Sequence, residues 1–175
     1  MKIVKYAGIT IIVLLLIFFS LGVIKPSFEY SSTVTILAPP QQCWNAIHDT
    51  IGMKKWMPDF RKLTLKSGTH LQAGASYEII FQQDERYVMQ ETIEEIRPAE
   101  YISYELTNDV MTMNYNYTFT SKGNTTEISN LNKVTGNSLF WKSILFLSKS
   151  HIQTVSQEQL ESLKLYIETK DVEFD

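Results

Sequence analysis

Ser138 to Thr169 reads SLFWKSILFLSKSHIQTVSQEQLESLKLYIET, a stretch with neither proline nor glycine inside it. Gly136, Asn137 and Ser138 stand before it, small polar residues of the kind that cap helix starts, so one long helix is expected here. At about 100° per residue, Phe140, Ile144, Leu147, His151, Ile152, Val155, Leu163 and Tyr166 share one side of that helix. Lys142, Lys149, Gln153, Gln157, Glu161 and Lys164 fall opposite. At roughly 1.5 Å per residue the helix would span roughly 48 Å, more than it can bury without a large partner surface. The strand-rich middle of the chain has to supply that surface.

Working back from the helix, six segments read as strands: Arg61 to Ser67, Ser76 to Gln82, Arg86 to Ile96, Tyr101 to Thr107, Met111 to Thr120 and Thr125 to Val134. Turn signals separate them at Gly68, Gly74, Asp84-Glu85, Arg97-Pro98, Asn108-Asp109 and Lys122-Gly123-Asn124, with Asp84-Glu85 as a hairpin tip. Period two is clearest in Met111, Met113, Tyr115, Tyr117 and Phe119, and Ile102, Tyr104 and Leu106 repeat it. An antiparallel meander with one apolar face follows, and that face needs a cover. Earlier in the chain, Phe28 to Leu37 predicts a first strand. Ala38-Pro39-Pro40 ends it, and two short helices follow at Gln41 to Asp49 and Met53 to Met57.

Ala7 to Ile24 (AGITIIVLLLIFFSLGVI) carries no charge and is just long enough for a hydrocarbon core about 30 Å thick. We read it as an uncleaved anchor; the competing reading is a signal peptide cut after Ser20 and Gly22. Lys2, Lys5 and the amino terminus outweigh Lys25, which points the N-terminus to the cytoplasm and the domain to the extracytoplasmic side. The organisation expected is thus residues 1–27 as membrane anchor and flanks, 28–170 as one folded domain and 171–175 as a tail. A net charge of -3 with scattered Lys and Arg has no basic stripe, which excludes nucleic acid as a partner. The lone Cys43 rules out an internal disulfide and reads as a small buried hydrophobe. Oligomeric state is left open.

Three stretches carry a resemblance: ILAPPQQCWNAIHDTIGMKKWMPDF at Ile36 to Phe60, GASYEIIF with MQETIEEIRPAEYISYEL across Gly74 to Leu106, and LESLKLYIE at Leu160 to Glu168. With Trp44 and Trp56-Met57-Pro58 at the landmark positions, and Cys43 where valine is common, the chain resembles the START-like (SRPBCC) superfamily of polyketide cyclases, aromatases and lipid-transfer proteins. That likeness implies an α+β helix-grip fold: a curved antiparallel sheet around the C-terminal helix, with two short helices after the first strand. It also implies a cavity for an apolar or aromatic small molecule or a lipid. The inner face, stocked with Met89, Met111, Met113, Tyr104, Tyr115 and Tyr117, suits such a cavity or a filled core, because Met adapts its shape and Tyr joins an apolar ring to a polar tip.

Trp56, Tyr104, Met113, Tyr115 and His151 are the expected ligand-binding residues. His151, in the apolar stripe, is expected to point at the sheet and hydrogen-bond a strand tyrosine; an enzyme of the cyclase kind would use it as base, with Tyr115 polarising a carbonyl. No metal or other cofactor is expected, since no H-E-x-x-H or C-x-x-C occurs and no second ligand faces the same way as any histidine. Glu94 and Glu95 point to opposite faces and cannot pair as catalytic carboxylates. No catalytic residue is therefore assigned beyond the candidate His151. Leu139 and Phe146, on the back of the helix, would touch the bilayer or pack under a loop. A cell-envelope interaction protein without a pocket function is the third reading.

Overall fold

The computed structural model describes residues 2–57, 59–81 and 87–170. Pro58, the Asp84-Glu85 hairpin tip and residues 171–175 lie outside them. The chain opens with α1 (Lys2–Ile24), whose segment Tyr6–Ile24 is long and apolar enough to cross a membrane and is almost wholly unburied. Strand β1 (Ser27–Ile36) follows after two residues, and its inward set is Phe28, Tyr30, Ser32, Val34 and Ile36. Helix α2 (Pro40–His48) starts on a proline that is already in helical φ, and it buries Cys43, Trp44 and Ile47. Helix α3 (Thr50–Trp56) is capped by Asp49, whose carboxylate accepts from the Ile51 amide at 3.0 Å.

Six strands come next: β2 (Phe60–Ser67), β3 (Ser76–Phe81), β4 (Tyr87–Arg97), β5 (Tyr101–Thr107), β6 (Met111–Lys122) and β7 (Thr125–Gly136). They form with β1 one antiparallel sheet ordered β1-β7-β6-β5-β4-β3-β2, with register shifts in the β2–β3 and β4–β5 pairings. Such shifts bend a sheet and help it wrap. Two helices close the chain, α4 (Leu139–Leu147) and α5 (Lys149–Lys170). Helix α5 lies in the concavity, and Phe60, Ile36, Ile93, Ile102, Ile128, Leu163 and Ile167 make the fully buried centre of the core.

The expected single terminal helix is therefore two. Ser138 does cap the start, accepting from the Trp141 amide, but the helix breaks at Ser148, where φ is -87° and ψ is 1°. The break follows from a partner that periodicity cannot reveal: α4 packs against α1, while α5 packs against the sheet and α3. The inward face of α5 is Ser156, Leu160, Leu163 and Ile167, with Ile152 and Tyr166 partly covered. Of the stripe drawn from sequence, Phe140, Leu147, His151 and Val155 are exposed instead. Leu139 lies against Gly22 of α1 rather than under a loop.

Polar side chains on α5 also serve the fold. Strand β1 is a sheet edge, and an edge leaves backbone groups without ladder partners. Gln157 takes both groups of Thr33, accepting from its N–H at 3.2 Å and donating to its carbonyl at 3.0 Å. Glu168 accepts from the Leu37 N–H at 2.8 Å. At the far end, Tyr166 donates to the Asp49 carboxylate at 3.2 Å, tying α5 to the corner between α2 and α3.

Candidate functional site

The strands turn their even or odd residues inward as the alternation requires, and the inner face does not meet α5 everywhere. Between the sheet and the first half of α5 lies an open chamber of about 280 Å³, walled by Tyr30, Met89, Met111 and Met113 on the strands and by Ile152, Val155 and Ser156 on α5, with Asp59 at its edge. Phe81, Leu106, Tyr115 and Gln159 are shared with a second recess of about 100 Å³ that reaches Trp56, Tyr104 and Tyr117. Beyond it, Met53, Glu91 and Tyr104 separate that recess from a small one of about 40 Å³ bounded by His48, His70 and Tyr77. The walls are mostly thioether, aliphatic and aromatic, the surface that apolar ligands favour.

The polar groups in these walls are few. Glu91 projects from the middle of β4 into both inner recesses. Among the described residues no hydrogen-bond donor or cation pairs with it, and burial pushes its carboxyl up to about 7. Around it stand Tyr104 and Tyr117, ring centroids 6.0 Å apart and edge to face, and Tyr115, stacked on Tyr117 at 6.3 Å. Burial raises the phenols of Tyr104 and Tyr117 well above the ordinary range, and the neighbouring Glu91 adds to this in both. The Tyr30 phenol has the hydroxyls of Ser156 and Tyr115 beside it; Ser32 donates to Ser156 at 3.1 Å and Tyr115 points its hydroxyl at the Met113 thioether, 3.7 Å away. Burial also raises the Tyr30 phenol.

Several buried polar atoms have no partner among the described residues: Trp56 Nε1, His48 Nε2, Asn130 Oδ1 and both amide atoms of Asn132. The Nδ1 of His48 lies 2.8 Å from the Trp44 carbonyl, which only a protonated Nδ1 can satisfy, so Nε2 is left as an acceptor. Burial lowers the pKa of this imidazole and keeps it neutral. Asn130 and Asn132 lie on the inward face of β7, where their register neighbours are Ser32 and Tyr117, and Tyr30 and Tyr115.

All five residues expected from sequence to bind ligand border this space: Trp56 and Tyr104 the second recess, Met113 and His151 the chamber, Tyr115 both. His151 differs from expectation in its setting. It sits exposed at the chamber's rim and, among the described residues, makes no hydrogen bond to a strand tyrosine. Glu91 escaped the sequence reading although its signal was there: the alternation that puts Met89 and Ile93 inside carries Glu91 to the same face. Asn130, Asn132 and Ser156 were missed for the same reason, since polar residues at inward positions do not stand out by composition. Among the described residues no cluster of His, Cys, Asp or Glu has the makings of a metal site.

The family model described as polyketide cyclase / dehydrase and lipid transport matches residues 27–168, nearly the whole chain after α1. The chain belongs to that family. Solved structures agree on the architecture. This polyketide cyclase and lipid-transport family member superposes on Ara h 8.0201 with a TM-score of 0.64 at 11% identity, covering 82% of this chain and 99% of that one. Against TTHA0849 from Thermus thermophilus the TM-score is 0.64 at 14% identity, covering 82% and 99%. Against the di-domain ARO/CYC BexL of the BE-7585A biosynthetic pathway it is 0.62 at 16% identity, covering 82% of this chain and 51% of that one. At such identities the likeness is one of fold. No curated protein matches the family member by sequence.

Proposed function

We propose that this is a membrane-tethered binding domain that holds a lipid or another hydrophobic small molecule between the sheet and α5. The observation that carries this reading is the chamber itself, apolar in most of its walls and continued past Trp56 toward the Glu91 carboxyl, which has no partner among the described residues. A ligand that fits has an apolar body against Met89, Met111 and Met113 and one polar end near Glu91, Tyr104 and Tyr117. With a carboxyl near 7, Glu91 can donate a hydrogen bond to a carbonyl or hydroxyl, or accept one, close to neutrality. Trp56, Tyr104, Met113, Tyr115 and His151 are the proposed contacts, His151 from the rim. Residues 1–27 act as anchor and flanks, residues 28–170 as the binding domain, and the domain lies on the extracytoplasmic side.

The test is to extract the full chain in detergent and identify by mass spectrometry the small molecules that copurify. A stoichiometric lipid or polyketide-like molecule, lost in a Tyr115→Trp variant that fills the chamber, is the expected result. A protein free of small molecules, whose tryptophan emission is unmoved by fatty acids, phospholipids and isoprenoids, overturns the reading.

A second reading, catalysis of the cyclase kind, is favoured by Glu91 more than by His151, because a carboxyl near 7 enclosed by phenols suits proton transfer near neutrality. Turnover of a bound ligand that Glu91→Gln abolishes while binding is kept would establish it.

A further inference from the structure

Helix α4 does not contribute to the chamber, and its sequence, LFWKSILFL, carries one charge. Only Ser143 and Leu145 are buried, while Phe140 stays 48% and Leu147 61% exposed. A folded domain gains nothing by holding such side chains in water, so the exposed face calls for a partner. What already touches α4 says which partner. Its first turns pack on the end of α1: a side chain at Gly22 would come within 2.6 Å of the Leu139 carbonyl and 2.7 Å of Ser143 Oγ, so the absence of one lets the helices close. Phe18 of α1 meets Phe140 with ring centroids 5.8 Å apart. Phe18 precedes the last residue of α1, Ile24, by about 9 Å along the axis at 1.5 Å per residue. An amphipathic helix lying in a membrane interface buries its apolar face by about 5–10 Å, the same depth. Lys142 on α4, Lys149 just after it and Lys25 just after α1, with Trp141 only partly buried, have the chemistry of the interface itself, where indoles and ammonium groups settle.

The register says what else comes to that surface. Ser27 pairs with Thr135 and Met111 with Gly136, so the start of β1, the end of β7 and the β5–β6 turn share one end of the sheet. Asn137 fastens that turn to the start of α4, its N–H donating to the Val110 carbonyl at 2.9 Å and its side-chain amide to the Asn108 carbonyl at 2.6 Å. Phe60 and Phe81 pair at the same end, and Asp59, Phe81, Met89, Met111 and His151 form the part of the chamber wall found there.

Resting on the anchor reading above, we propose that α4 lies at the boundary between headgroups and acyl chains of the bilayer that α1 crosses, and that it seats this end of the chamber on that bilayer. A lipid then passes between membrane and chamber beside the α4–α5 break without crossing bulk water.

Spin labels on single introduced cysteines test this in the full chain reconstituted into phosphatidylcholine vesicles; Cys43 is buried and remains unlabelled. The sites are Phe140→Cys and Leu147→Cys on α4, Asp109→Cys in the β5–β6 turn, Asn124→Cys at the opposite end of the sheet, and Leu14→Cys within α1. The expected result is relaxation dominated by oxygen at 140 and 147, an intermediate value at 109 and relaxation dominated by an aqueous nickel chelate at 124. A lipid signal at 14 with aqueous signals at 140 and 147 overturns the placement of α4 and leaves the anchor standing. A position 109 as aqueous as 124 overturns the seating of the chamber. An aqueous signal at 14 overturns the anchor and this inference together.

Discussion

Glu91 is the residue whose chemistry can be read most directly. Its carboxyl is held at about 7 against an ordinary 4.5, so the folded chain keeps a proton that the unfolded chain releases. Below pH 4.5 both states are protonated and the group is neutral to stability. As pH rises from there to 7 the unfolded state is favoured progressively, and above 7 the folded state carries a destabilisation of about 3 kcal/mol. Glu91→Gln is therefore expected to leave thermal stability unchanged near pH 4 and to raise it at pH 8, read from circular dichroism melts of the ligand-free protein in detergent. Equal melting curves at both pH values would show that the carboxyl is solvated. The same substitution separates recognition from packing, because glutamine fills the space while removing the charge. The sequence contained what was needed to place Glu91 inside, through Met89 and Ile93, but nothing in it shows that no cation or donor stands opposite. That depends on which side chains the other strands bring near.

At the scale of the element, α5 divides into a buried and an exposed face in a way a substitution pair can expose. Leu163 is fully buried, and Leu163→Ala should lower stability by about 2–5 kcal/mol through lost transfer and a residual cavity. Leu165, two residues on and exposed, should tolerate alanine within about 0.5 kcal/mol. Denaturant titrations of the two variants check both. Gln157→Ala tests the clasp on the edge strand: losing the two hydrogen bonds to Thr33 should cost about 1 kcal/mol and speed amide exchange at Thr33. Unchanged exchange there would mean that water replaces the glutamine without loss. The helix pattern correctly marked Ile152, Leu163 and Tyr166 and brought His151 and Val155 to the chamber's rim, but it was carried unbroken through Ser148 and so put Phe140 and Leu147, both exposed on α4, on the covered face. A period cannot register a second partner, and α1 is that partner.

For the whole molecule, the question is what happens to α1. If it is an uncleaved anchor, the protein isolated from membranes has the intact mass of 20.2 kDa, and mass spectrometry of the mature chain decides it. A product cut near Gly22 would identify a signal peptide, and α4 would then lose the helix against which Leu139 rests. If α1 anchors the chain, binding changes as well. A chamber held at a bilayer meets lipids at the high local concentration of the membrane, so its affinity need not be high for it to be occupied.

Alternation along β5 and β6, turn residues at Gly74, Gly123 and Asn108, the prolines at the start of α2 and the apolar run of α1 are local properties. They determined the element order, the inward face of the sheet and the need for a covering helix, because side-chain period and backbone preference act within a few residues. Contacts between distant residues decided the rest: the break at Ser148, the isolation of Glu91, the unsatisfied amides of Asn130 and Asn132, and the chamber. Space is left where two surfaces fail to meet, and that failure belongs to the packing of the whole chain.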